Sequence, residues 1–357
     1  MNPQRNAIRI FAGLCVVCIV GLGWMFWQNA PPPVSPPPVE TVAPTVQPTI
    51  PPTVQIPETP PIEATKAETP LQRIFFRSTN PEQHYGQLAF VEYPGRLTPQ
   101  FQEQWNCEAV YFAGGKGSCL TADRGVFTTY TADIFDSTFR RLFTLPLNGI
   151  PSRTRVSPNG RLAAVTVFVT GHGYDSVDFT TQTSLIDTAS GKVIADMEKF
   201  AVMKDGQPFT AADFNFWGVT FAPDSDRFYC TLSSNRKHYL IEGSIKARTA
   251  RVIHENVECP SMSPDGTRVA YKKRMPGDRV IWQLHVLDLK TQIETSLAER
   301  RSVDDQLEWL DADQVLYSLP HSQTVPGAST DVWLAPANGK GEPRLFLPNA
   351  YSPAVAR

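Results

Sequence analysis

Residues 260–297 read PSMSPDGTRVAYKKRMPGDRVIWQLHVLDLKTQIETSL. A short strand runs into Ser263-Pro264-Asp265-Gly266. In such a tight turn proline fixes one backbone angle and glycine tolerates positive φ. A second apolar strand follows the turn. Two further strands, VIWQLHVLDL and QIETSL, meet at Lys290-Thr291. By the two-residue period of a strand, Trp282, Leu284 and Val286 share one face, while Ile281, Leu287 and Leu289 share the other. Both faces are partly apolar, as expected of a sheet sandwiched between two others. Four strands in about 45 residues is the size of a propeller blade.

The plan repeats. RVSPNGRLAAVTVF from Arg155, VTFAPDSDRFYCTL from Val219 and LEWLDADQVLYSL from Leu307 each show a short strand, a tight turn and a second apolar strand. The repeats place blades at 107–147, 153–200, 216–257, 259–299 and 306–347. A sixth must be composite, with strands near Ile74–Leu97 (RIFFRS and GQLAFVEY) joined by the C-terminal AYSPAVAR as the innermost strand. Sharing a blade between the two ends removes open sheet edges. The expected fold is therefore all-β, a six-bladed β-propeller over residues 71–357. AVMKDGQPFTAADFNF, between Lys199 and Asn215, stretches the blade spacing and reads as an insertion, a small hairpin or short helix. It is either a functional loop or a tolerated one.

Ahead of the blades, Ile10 to Trp27 (IFAGLCVVCIVGLGWMFW) carries no charge and is about long enough to cross a bilayer as a helix. Trp24 and Trp27 lie at its far end, and Arg5 and Arg9 precede it. No Lys or Arg follows until Lys66. That asymmetry predicts a cytoplasmic segment 1–9, a transmembrane signal anchor 10–28 and an extracytoplasmic remainder at a cell membrane crossed once. A cleaved signal peptide is the competing reading, disfavoured by the long apolar core and by Pro31 directly after Ala30. Leu14 before Cys15 and Val17 before Cys18 do not fit a lipoprotein signal, which needs a small residue there. Residues 29–70 are a Pro/Thr-rich linker with no aromatic side chain and no apolar period. Such a chain cannot recover its ordering entropy by burial and is expected to be disordered with polyproline II character. Fully extended at about 3 Å per residue it spans roughly 120 Å. It is read as a passive stalk, with a ligand for a proline-recognition domain as the alternative.

The formal charge of -2 and the scattered basic residues exclude the clustered positive stripe that nucleic acid requires. Arg140-Arg141, Lys272-Lys273 and Arg300-Arg301 read as solvated strand ends. Cys15 and Cys18 fall within the anchor. The exported cysteines offer the pairs Cys107–Cys119 and Cys230–Cys259 as disulfides. If Gly114–Gly117 form the hairpin tip, however, Cys119 faces Phe112, away from Cys107, which favours unbridged buried cysteines.

The SPDG-type hairpins at Ser157-Pro158-Asn159-Gly160 and Ser263-Pro264-Asp265-Gly266, followed by Val-Ala-Tyr-like strands, resemble the WD40-like repeats of the TolB family over residues 72–357. NFWGVTFAP and VECPSMSPDGTRVAYKKR also resemble uncharacterised actinobacterial TolB-like proteins. The resemblance implies a propeller of the cell envelope. TolB itself carries an α/β domain before its propeller, where this chain has spacer and anchor. A role in a Tol-type system is therefore not carried over.

No catalytic constellation emerges. There is no G-x-S-x-G elbow, and His84, His172, His238, His254, His285 and His321 show no H-x-H or H-x-x-x-H pair. No metal or cofactor is expected. The acidic run DDQLEWLDAD, with Asp304, Asp305, Asp311 and Asp313, lacks EF-hand spacing and reads as a turn plus the start of a blade. Gly171-His172-Gly173-Tyr174-Asp175 reads as a loop joining two strands. The candidate ligand-binding face is where each blade hands over to the next, supplying Arg153, Arg155, Asn215, Trp217, Glu258, Asp304 and Asp305. Cations, carboxylates and an aromatic ring together suit a peptide or glycan; the plainer outcome is that they pair with one another. The expected function is a tethered binding or scaffold module that engages an envelope protein or a cell-wall component. An envelope enzyme, a glycan lyase or hydrolase acting at the channel mouth, is the alternative. A sensor is disfavoured by the nine residues before the anchor.

Overall fold

The computed structural model describes residues 71–171, 173–174, 179–321 and 329–357. The expected anchor and spacer, with Cys15 and Cys18, lie outside the described residues, as do His172 and Asp175.

Among the described residues twenty-six strands form six sheets. The chain opens with β1 (Gln72–Ser78), β2 (Gln87–Tyr93) and β3 (Gln100–Asn106). Blade two is β4 (Ala109–Ala113), β5 (Lys116–Arg124), β6 (Thr128–Asp136) and β7 (Arg141–Leu147). Blade three is β8 (Ile150–Val156), β9 (Leu162–Thr170), β10 (Thr180–Asp187) and β11 (Lys192–Asp196). A hairpin of β12 (Ala201–Lys204) and β13 (Gln207–Phe209) comes next. Blade four is β14 (Asn215–Phe221), β15 (Arg227–Ser234), β16 (Lys237–Ser244) and β17 (Thr249–Glu255). Blade five is β18 (Glu258–Met262), β19 (Arg268–Arg274), β20 (Trp282–Asp288) and β21 (Glu294–Ser296). Blade six is β22 (Glu308–Trp309), β23 (Gln314–Pro320), β24 (Thr330–Pro336) and β25 (Arg344–Leu347). The last strand, β26 (Ala350–Ala356), pairs antiparallel with β1, so that blade one runs β26-β1-β2-β3.

The expected composite blade is thus present. The innermost strands β26, β4, β8, β14, β18 and β22 pack side by side around one axis, with β22 closing on β26. A separate apolar cluster fills each of the six junctions between neighbouring blades. At the closing junction Val355 of β26 lies with Leu316 and Leu334 of blade six. Each fully buried Val, Leu or Phe contributes about 1.5–3 kcal/mol, so the ring is held mainly between blades. In β20 the expected division holds for Trp282, Leu284, Val286 and Leu287, all buried. Ile281 precedes the strand and is exposed.

The repeated turns bring the blades together. Both Gly114, after β4, and Gly160, after β8, take positive φ, and a Cβ on either would stand 2.3 Å from the other's backbone. The SPNG turn of blade three therefore seats on the Gly114-Gly115 turn of blade two. Of the two forms expected for the stretch between Lys199 and Asn215, hairpin or short helix, it takes the hairpin. Its β12 joins β17 in parallel register, widening blade four to a six-stranded sheet at its outer edge.

One expectation about cysteines is corrected. Cys107 and Cys119 form a disulfide with Cα atoms 5.4 Å apart. The hairpin tip is only Gly114-Gly115, because Ala113 pairs with Lys116, so Cys119 faces Val110 rather than Phe112. The chain before β4 then folds back, with the Cys107 N–H bonded to Gly86 O and the Glu108 N–H to Leu120 O. That bend carries Cys107 over Cys119. Cys230 and Cys259 stay unbridged and buried.

Candidate functional site

The innermost strands all run the same way along the axis. They begin on an upper face, which also carries the loops between second and third strands, and end on a lower face that carries the SPDG-type turns. Side chains two residues apart on an inner strand point the same way. This is why Arg153 and Arg155 of β8 both reach the channel.

At the upper mouth, Arg153 donates to the Tyr351 hydroxyl at 2.7 Å and to Asp304 O at 3.4 Å, and lies 3.9 Å from the Asp305 carboxylate. Asp305 is buried and accepts the backbone N–H groups of Gln306 and Ser318. Lys272, with no exposed surface, pairs with Asp304 and sits 4.2 Å from the Trp282 ring centroid and 4.8 Å from that of Tyr174. Desolvation opposes charge on Asp304, but Lys272 and Arg153 outweigh it and hold its carboxyl below the ordinary value. For Asp305 desolvation wins over Arg153, and its carboxyl is raised.

Beside the axis, Glu258 is fully buried at the start of β18. One carboxylate oxygen accepts from Arg274 Nε at 3.1 Å and Trp282 Nε1 at 2.9 Å, with His238 Nδ1 3.8 Å away. The other oxygen, and the indole N–H of buried Trp217, have no hydrogen-bond partner among the described residues. Burial lowers the His238 pKa, and Glu258 opposes that shift. His238 and Arg274 form part of the wall of a cavity of about 580 Å³. Phe179, Asn215, Asn235 and Arg236 contribute other parts of its lining.

The lower half of the channel holds a third cluster. Arg155 and Glu308 form a buried ion pair. Glu308 also accepts from the Tyr111 hydroxyl at 3.2 Å and from Arg357 at 3.1 Å, and Arg155 stacks 4.5 Å above the Tyr111 ring. Gln306 crosses nearby, donating to Val219 O and Pro260 O.

Of the seven residues expected on the handover face, Arg153, Asp304 and Asp305 meet at the upper mouth. Asn215 lines the cavity, Glu258 is buried behind its wall and bonded to Arg274, and Trp217 is buried in an aromatic cluster with Tyr174 and Trp282. Arg155 departs from expectation: it points into the lower half. Lys272 also departs, since it is no solvated strand end but the buried cation of the upper cluster. Lys272, Arg274, His238, Tyr174 and Glu308 were missed as site residues. Period two on β19 puts Lys272 and Arg274 in register with Glu258, which pairs directly opposite Lys272, and that alternation was the available signal. The acidic run divides as expected into the start of a blade and a turn, with Asp311 and Asp313 exposed in the latter.

No protein-family model matches the chain, and no curated protein does either. Solved structures do. TolB from Acinetobacter baumannii superposes with a TM-score of 0.55 at 16% identity, covering 80% of this chain and 67% of that one. A nidogen/laminin complex gives a TM-score of 0.52 at 9% identity, covering 81% of this chain and 99% of the other. At these identities the likeness is one of fold, a TolB-like six-bladed propeller.

Proposed function

We propose, from this TolB-like fold, that the chain is a membrane-tethered, extracytoplasmic module of the bacterial cell envelope that binds a protein partner on its upper face. The observation that carries the reading is the distribution of exposed apolar side chains. Tyr85, Val126, Phe127, Val169 and Ile281 stand at loops of four different blades, all on this face, with Val126 96% and Phe127 83% exposed. Apolar tips of this kind around a polar centre favour protein contact. The ionic groups between them neutralise one another: Lys272 pairs with Asp304, Arg274 with Glu258 and Arg153 with Asp305. The mouth therefore offers a rigid, charge-balanced centre with apolar contacts at its rim.

Tethering rests on the uncharged stretch from Ile10 to Trp27 and the positive residues before it. The test is a crosslinking pull-down of the full chain from intact cells, beside a Val126→Asp/Phe127→Asp variant. The wild type should bring down a defined partner that the variant loses. Recovery of the wild-type chain alone would overturn the reading. Deleting residues 1–28 should move the protein out of the membrane fraction if the anchor holds it there.

A further inference from the structure

We propose that the off-axis cavity of about 580 Å³ on the upper face is a binding site for a neutral saccharide of two or three sugar units. The inference does not depend on the protein-binding reading, since it concerns an off-axis cavity of that face and a different class of ligand.

Size comes first. Small-molecule sites occupy roughly 300–1,000 Å³, so the cavity accommodates a short oligosaccharide. Among the described residues its charge is balanced, which selects against anions and cations alike. Arg274 is already bonded to Glu258, and the second guanidinium of the wall, Arg236, is matched in number by the Asp213 carboxylate. A phosphate or carboxylate site would need a surplus of positive charge. The balance leaves hydrogen bonding as the means of recognition.

Donors and acceptors are mixed there as hydroxyl-rich ligands require. The Thr170 and Thr180 hydroxyls bond each other at 2.8 Å, and each keeps acceptor capacity beyond that bond. Asp213 accepts from Ser234 Oγ at 2.7 Å and from the Asn235 N–H at 2.6 Å, which fixes the carboxylate while leaving lone pairs for a ligand. Asn235 and Arg236 form the turn between β15 and β16, with positive φ at both, and their exposed side chains stand at the rim. The His238 imidazole forms part of the wall.

One wall is aromatic. Phe179 is half-buried and held edge-on by Trp217 at 5.4 Å and by Tyr174 at 5.5 Å between centroids. A ring fixed this way can cover the C–H face of a pyranose while the polar groups take its hydroxyls. Behind that ring the fully buried Trp217 backs the wall, its indole edge also meeting the His238 imidazole at 5.7 Å between centroids.

The test uses the full chain with cellobiose, maltose, lactose and di-N-acetylchitobiose as probes, and sialyllactose and inorganic phosphate as anionic comparators. Saturation-transfer NMR reads contact, and calorimetry reads affinity. At least one neutral disaccharide should bind, with an affinity that is insensitive to salt. Phe179→Ala and Arg236→Ala should each weaken it by about tenfold or more, and the exposed Arg236→Ala should leave thermal unfolding unchanged. The proposal is overturned if no neutral disaccharide binds, if Arg236→Ala and Phe179→Ala both bind as the wild type does, or if the anionic comparators bind in preference.

Discussion

Arg155 of β8 and Glu308 of β22 are 153 residues apart in sequence and meet across the axial channel as a buried ion pair. The pair joins blades three and six, which share no sheet, and Arg357 and Tyr111 converge on the same carboxylate. Removing one partner leaves the other charged and dehydrated. Arg155→Met or Glu308→Leu should therefore cost about 3–5 kcal/mol each, and the double variant less than the sum of the two. Urea unfolding of the four chains checks this; strict additivity would show that the groups do not act together.

The Cys107–Cys119 bridge closes a loop with a sequence separation of 12. A loop of that size is stabilised by about 3 kcal/mol. Cys107→Ser should lower the unfolding midpoint, and reductant should do the same to the wild type only. Peptide mapping without reduction should recover the two cysteines linked, with Cys230 and Cys259 as thiols.

Glycine is needed where two turns touch. Gly160→Ala would drive its Cβ to 2.3 Å from Gly114 O, and relieving that overlap should cost about 1–3 kcal/mol. Gly115 also has positive φ, but a Cβ there meets nothing within 4 Å. Gly115→Ala should cost only its backbone strain, about 1–2 kcal/mol. Thermal unfolding that ranks the two variants the other way round would refute the contact.

Burial, with Asp196 beside it, pushes the Glu198 carboxyl up to about 9. A carboxyl raised on folding contributes stability that is fully present below its unfolded pKa of about 4.3 and is lost as pH rises through the folded value. The melting temperature should fall between roughly pH 5 and 9, and Glu198→Gln should flatten that decline. An equally steep decline in the variant would remove Glu198 as its source.

Closure of the ring depends on β26. A chain ending at Asn349 loses the innermost strand of blade one and exposes the edge of β1. Such an edge invites pairing with other chains. The truncated protein should aggregate in size-exclusion chromatography or unfold without cooperativity, whereas a monomer of wild-type stability would show that the two ends are not coupled.

Much of this architecture was legible because it is written locally. The SPNG, APDS and SPDG turns and the alternation of apolar residues specify strand, turn and strand within a dozen positions, and their recurrence counts the blades. Six such units fit a closed ring, and AYSPAVAR was left over as the strand that completes it. The insertion was legible, but not which of hairpin or short helix it forms, nor its parallel pairing with β17, since that register depends on an edge formed much later in the chain.

The sites were less legible. Lys272 beside Lys273 and Arg274 looks like a solvated strand end until Asp304, Tyr174 and Trp282 are brought around it from other parts of the chain. Arg153 and Arg155 were recognisable as channel residues from their place where one blade hands over to the next, but not that they serve opposite ends. A four-residue tip disfavours the Cys107–Cys119 bridge, and moving the tip by one residue changes every cross-strand partner.

The sequence by itself determined the blade, its repetition and the ring's point of closure, because backbone turn chemistry and side-chain periodicity act between near neighbours. Only the tertiary structure decided which charges are neutralised across the axis and where a polar cavity remains. Those outcomes depend on groups from different blades meeting in a space that no single blade encloses.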